Sequence, residues 1–263
     1  MTTTVLPALF AVFLWWFGTG AILFLDGLSP RTFRWSLLGW TGLLGLGLAA
    51  LHLSADDGSV TGAYLAFTGV ILVWGWNELA FLTGWVTGPR KIPSPPGTAA
   101  WTRTRHAVAA ILYHELALLG SGAAIAALTW SGTNRTGLLA FAVLWTMRLS
   151  AKVNIHLGVP NTGEGFLPDH LRYLASWFAV RPMNPVFPGA MVLALGAQVM
   201  LAWHALHPAA SPGEAAGFAL VAVLLALAIL EHAFLVLPLP SAALWAWAKR
   251  DATVIPKPSR RSA

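Results

Sequence analysis

Apolar residues run along this chain in long blocks, with polar and turn-forming residues gathered between them. The blocks span about 4–25, 35–53, 60–86, 107–130, 136–156, 189–208 and 215–237. Each is close to the roughly 20 apolar residues that cross a bilayer as a helix. The pattern predicts an all-α fold, a polytopic membrane bundle of about seven transmembrane helices. The segment GPRKIPSPPGTAAWTRTR, between the third and fourth blocks, is Pro-rich and basic, suited to an extended run near anionic headgroups. Residues 157–188 mix turn signals with an apolar helical stretch at 169–180, which predicts a structured cytoplasmic connection with an interfacial helix. After the seventh block, PLP at 238–240 breaks the helix, because proline lacks an N–H and clashes with the previous turn. SAALWAWAKR then reads as a short interfacial helix over 240–250. Residues 1–250 thus form one transmembrane domain, and 251–263 a disordered basic tail.

Composition agrees with the blocks. Of 263 residues, 57% are hydrophobic and 10% charged, where a soluble domain carries about a quarter charged. Fourteen Trp against three Tyr fit amphipathic rings near the interfaces, with some rings buried. The absence of Cys excludes disulfides, Cys-ligated metal sites and thiol catalysis. The start, MTTTVLPALF, lacks the basic residues of a secretory signal, so the first block reads as a retained span.

The net charge of +6 would point to nucleic acid in a soluble protein; here loop asymmetry accounts for it. Arg31, Arg34, Arg90, Lys91, Arg103, Arg105, Arg148, Lys152, Arg172, Arg181 and the five basic residues of the tail fall on one side, 15 of the 16. Only Arg135 falls on the other, with Asp56, Asp57 and Glu214. The positive-inside rule places the N-terminus outside, in the periplasm, and the C-terminus in the cytoplasm. No inverted repeat of a secondary transporter is visible.

Three acidic residues sit inside the blocks: Glu78, Glu115 and Glu231. At 1.5 Å per residue they lie roughly 9–12 Å from the inner ends of their spans, all in the cytoplasmic half of the bilayer. Each has a polar neighbour, respectively Asn77, His114 and His232, but adjacent helical residues point about 100° apart and do not form a chelate. Arg148, Lys152 and His156 recur at i, i+4 and i+8 on one face of the fifth span, with Asn154 beside them. Asn77, Arg148, Lys152, Asn154 and His156 are therefore candidates for a polar pocket among spans 3, 4, 5 and 7. An intramembrane ionisable residue is by default a functional candidate with a partner. The plainer reading is structural: Glu78 or Glu115 pairs with Arg148, and the histidines make ordinary hydrogen bonds. Glu78, His114, Glu115, Glu231 and His232 could also supply a metal site, although the Glu-x-x-His pairs of di-iron bundles are missing. His114 and His232 are candidate ligands for the magnesium of a chlorophyll-type ring.

The other histidines carry less. His52, His204 and His207 lie near outer span ends, His106 beside the basic loop and His170 in the 157–188 connection. There is no phosphate loop, Ser–His–Asp arrangement or dinucleotide fingerprint on a strand–helix unit.

The phrases NELAFLTGWVTGPRK, YHELALL, LWTMRLSAKVNIHLGVPN and FLPDHLRYLASWF…RPMNPVFP, spread over about 74–188, together resemble the PuhE family of photosynthetic complex assembly proteins of purple phototrophic bacteria. The resemblance implies a multi-pass inner-membrane protein linked to reaction-centre and light-harvesting assembly and to bacteriochlorophyll production. It carries no catalytic residues, and it has an apolar residue where His156 stands. Three functions follow as expectations. The first is an assembly factor that binds bacteriochlorophyll or a precursor, a pigment-synthesis enzyme, or reaction-centre and antenna subunits. Its polar pocket would take a headgroup, a tetrapyrrole or a protein segment. The second is a membrane metalloenzyme or enzyme subunit of bacteriochlorophyll synthesis. The third is a tetrapyrrole or lipid transporter. The partners expected are the lipid membrane and photosynthetic proteins, not nucleic acid.

Overall fold

A computed structural model of the chain describes residues 2–239 and 241–248. It contains seven long helices: α1 (Thr2–Asp26), α2 (Phe33–Leu53), α3 (Val60–Leu82), α4 (Ala100–Thr129), α5 (Thr136–Leu157), α6 (Val186–Leu206) and α7 (Pro212–Val236). All seven are long and apolar enough to cross a membrane, so this is a multi-pass membrane protein. Short 3-10 turns fill the connections, and among the described residues there is one isolated bridge, Val159 to Val180, and no named strand.

α3 and α7 form the interior. Ala63, Ala66, Phe67, Val70 and Val73 of α3 meet Ala216, Leu220, Val221, Leu224 and Leu225 of α7 in one core. Small side chains let the helices approach, which is how membrane helices gain packing without a hydrophobic drive between them. At the α2–α3 crossing, a Cβ on Gly47 would stand 2.7 Å from the Gly69 carbonyl oxygen, and a Cβ on Gly69 equally close to that of Gly47. α7 starts with a full capping box: the Ser211 hydroxyl accepts from Glu214 N–H, and the Glu214 carboxylate accepts from Ser211 N–H.

The connections at one end of the bundle form a second layer. Leu171, Leu174 and Trp177 bury themselves against Phe81 of α3 and Ala110 of α4. The expected helix at 169–180 is a 3-10 helix over Asp169–Trp177. It stops there because Phe178 turns extended, so that Val159 N–H can donate to Ala179 O and Arg181 N–H to Val159 O. Asn184 locks this layer to α5 and α6. Its amide donates to Asn154 Oδ1 (2.9 Å) and Gly158 O (3.0 Å), and its Oδ1 accepts from Val186 and Phe187 N–H at the start of α6.

At the chain's end, the expected helix over 240–250 is a 3-10 turn at Ser241–Trp245 within the described residues. It clamps α1: Trp16 Nε1 donates to Leu244 O and Trp245 Nε1 to Trp16 O. Lys249, Arg250 and the tail 251–263 lie outside the described residues.

Candidate functional site

α5 carries a polar residue every second position from Arg148 to His156, and each reaches a different neighbour. Arg148 donates to Glu78 Oε2 on α3 at 2.9 Å. Ser150 Oγ lies 3.0 Å from His232 Nε2 on α7. Lys152 Nζ meets Glu115 Oε1 on α4 at 2.6 Å. Asn154, fully buried, accepts from Asn184. His156 lies between Thr104 Oγ1 of α4 (3.0 Å) and Trp177 O (3.1 Å). With 100° per residue, Arg148 and Lys152 share one stripe at i, i+4, while Ser150 and Asn154 share another. This polar spine fastens α3, α4, α7 and the 157–188 connection to a single helix.

Arg148 lies nine residues before the end of α5, about 14 Å inside it. It is thus an intramembrane partner for carboxylates rather than a loop charge. Both cations are matched one to one, Glu78 to Arg148 and Glu115 to Lys152. Glu231, the third intramembrane carboxylate, accepts only from Trp15 Nε1 of α1 (3.1 Å) among the described residues.

The histidines take two forms. His232 Nδ1 lies 2.9 Å from Ala228 O; a carbonyl only accepts, so the proton is on Nδ1 and Nε2 accepts from the Ser150 hydroxyl. Both ring nitrogens are used. His114 is fully enclosed, its ring 4.5 Å from that of Phe81, whose ring also lies 5.8 Å from Lys152 Nζ. Neither His114 nitrogen has a partner among the described residues. As placed, His232 has both ring nitrogens engaged, while both His114 nitrogens are buried without a partner among the described residues. Glu78, His114, Glu115, Glu231 and His232 do not come together as a metal-ligand set, since no group of three or more such residues occurs among the described residues.

Asn77 turns to Val73 O and to Ser121 Oγ of α4, both at 2.9 Å, so it ties α3 to α4 outside the α5 pairs. Several members of the network are not evident from sequence. Trp15 and Ser150 carry no charge to draw notice. Thr104 lies in a turn that the hydropathy pattern leaves outside the fourth span. Asn184 had a readable signal, an Asn followed by Pro at a helix start.

One more contact shapes the site from below. The segment after α3 folds back on α4, where Thr87 O accepts from His114 N–H at 2.9 Å and Arg90 N–H points to Ala109 O at 3.5 Å. Gly88 between them lies directly on the Ala109 and Ala110 backbone. The His114–Glu115 turn is therefore positioned by backbone contact as well as by Lys152.

A family model described as "Protein of unknown function (DUF3623)" matches residues 1–254. A Rhodobacter capsulatus protein described as "Uncharacterized 30.4 kDa protein in puhA 5'region" is 44% identical over 246 residues, covering 92% of this chain and 89% of that one. No solved structure matches. With the match running from the first residue through the last described helix, the chain belongs to the DUF3623 family.

Proposed function

We propose that this protein is an assembly factor for the photosynthetic reaction-centre and light-harvesting apparatus, resident in a bacterial inner membrane. The observation that carries the reading is the relative named for its place in the puhA 5′ region, taken with the resemblance of residues 74–188 to the PuhE family. The phrases that carry that resemblance are the ones that build the polar spine. Glu78, His114, Glu115, Arg148, Lys152 and Asn184 all fall within them. A charge inside the bilayer costs about 2.5–3.5 kcal/mol at the helix centre even on the lower scales. Four such charges held as two ion pairs give a rigid inner-half platform on which a partner's membrane segment can be received. In the proposed orientation, with the N-terminus outside, Arg90, Lys91, Arg172 and Arg181 lie on the cytoplasmic face, where they would meet pigment-synthesis enzymes or nascent subunits.

The test is purification of the tagged full-length chain from phototrophic cells, beside a deletion strain. Reaction-centre, antenna or pigment-synthesis proteins should co-purify, and the deletion should lower the near-infrared absorbance of the assembled complexes. Recovery of none of these proteins, with unchanged absorbance in the deletion strain, would overturn the reading.

A further inference from the structure

Three basic side chains converge on one tryptophan where the bundle meets its second layer. The Arg90 guanidinium stands 5.6 Å from the centre of the Trp177 ring. The His106 ring meets the same indole edge-on, with ring centres 5.9 Å apart. Arg103 donates through Nη2 to Trp177 O and through Nη1 to His156 O, which uses two of its five N–H donors. Arg181 follows in the same connection, and its side chain lies against Gly158, two residues beyond His156. Among the described residues none of these arginines pairs with a carboxylate; the ion pairs there belong to Arg148, Lys152 and Arg172. Like charges are thus gathered without a counter-charge, held by backbone carbonyls and an aromatic face.

The unpaired atoms indicate the kind of partner. Arg90 Nε, Trp177 Nε1 and His106 Nδ1 are all shielded from solvent and have no hydrogen-bond partner among the described residues. A guanidinium and an indole N–H only donate, so what satisfies them is an acceptor. Buried polar atoms without partners are few in folded proteins, and three around one ring call for such a group. Arg90, Arg103 and His106 are half-buried and Arg181 is exposed, so the cluster opens at the surface. Depth narrows the class. Arg103 is three residues into α4, about 5 Å from its start, and His156 is the last residue but one of α5. The apolar run of α4 begins at Ala107, directly after His106. The cluster therefore lies where hydrocarbon gives way to headgroups, and basic pockets between membrane helices at that level suit anionic lipids.

We infer that Arg90, Arg103 and the Trp177 indole bind the phosphodiester of an anionic phospholipid, phosphatidylglycerol in chemical class. The planar guanidinium forks match phosphate oxygens, and the indole N–H adds a third donor. A zwitterionic lipid carries the same phosphodiester but brings an ammonium, which the unpaired arginines repel. The site stands on the junction of α4, α5 and the 157–188 connection, and it holds whether or not the protein assembles photosynthetic complexes.

The test is native mass spectrometry of the full-length protein in detergent, titrated separately with phosphatidylglycerol, phosphatidylethanolamine and phosphatidylcholine of equal chain length. Phosphatidylglycerol should be retained roughly tenfold better than either zwitterion. Equal retention of the three lipids by the unmodified protein would overturn the site, and that comparison needs no variant to fold. Arg90→Gln keeps the backbone N–H that faces Ala109 O and removes the charge; it should weaken phosphatidylglycerol about fivefold and leave the zwitterions unchanged. Arg172→Gln is the control, because Arg172 sits in the same connection but is paired with Asp169. It should change nothing. An equal loss in both variants would show diffuse attraction to a basic surface and refute the site. A phosphatidylglycerol preference that survives Arg90→Gln would place the headgroup elsewhere. Added inorganic phosphate should leave the lipid bound; displacement would make a soluble phosphate the occupant and refute the lipid.

Discussion

Arg148→Leu will destabilise the bundle by about 3 kcal/mol, near the low end for breaking a buried ion pair by removing one partner. The residue left behind decides the size. Glu78 is 9% exposed, and without Arg148 its Oε2 loses the donor at 2.9 Å while Oε1 already has none among the described residues. The low end applies because the guanidinium side of the pair is 42% exposed. For a chain of this length the loss corresponds to roughly 10 °C in the unfolding midpoint, measurable by a thermal melt in detergent. The double replacement Glu78→Gln with Arg148→Leu should recover most of that loss, because residue 78 then no longer carries a charge that has lost its partner. A single variant as stable as the parent would mean that the pair contributes nothing to the fold.

The second large effect is expected at a residue with no side chain. Gly88→Val should detach the segment after α3 from α4 and cost about 3 kcal/mol, the upper part of the range for overpacking. A Cβ at residue 88 would run into the Ala109 and Ala110 carbonyls, and backbone cannot yield as a flexible side chain can. Moving the segment away also breaks the bond from His114 N–H to Thr87 O. Protease should then cut within 83–99 much faster than in the parent, with Gly88→Ala intermediate. Gly120→Ala on the same helix is the control, since a Cβ there meets nothing within 4 Å. It should be neutral or raise stability by about 0.5–1 kcal/mol through helix propensity. Equal cutting of the Gly88→Val variant and the parent would show that the close approach is dispensable.

Hydropathy located every span, and its errors fall at helix ends where polarity and structure do not change together. α4 begins at Ala100 instead of 107 because its first turns, with Thr102, Arg103, Thr104, Arg105 and His106, are too polar to register as membrane. α3 ends at Leu82 instead of 86 because Thr83 and Gly84 turn the chain back toward α4. α6 begins at Val186, three residues early, under the Asn184 cap.

The candidate site was legible as a set of residues and illegible as a geometry. Burying a charge in hydrocarbon is costly enough that Glu78, Glu115, Glu231, Arg148 and Lys152 stand out in any apolar run. Their pairing depends on how each helix is rotated, and nothing in a uniformly apolar span reports that rotation. So Glu115 could not be assigned to Lys152 rather than Arg148 from sequence alone. Nor could both ring nitrogens of His232 be seen to be taken. The i, i+4, i+8 face of Arg148, Lys152 and His156 was the one pattern that drew attention to α5 in advance.

In the proposed function this spine serves assembly of the photosynthetic apparatus and is more than a brace for the fold. Its most direct test replaces the closed pair as a unit, Glu115→Gln with Lys152→Met, which leaves no lone charge behind. The near-infrared absorbance of reaction-centre and light-harvesting complexes is then measured in membranes that hold the variant at the parent's level. This absorbance should fall several-fold although the protein accumulates normally; wild-type absorbance at equal protein level would show the spine to be a brace alone.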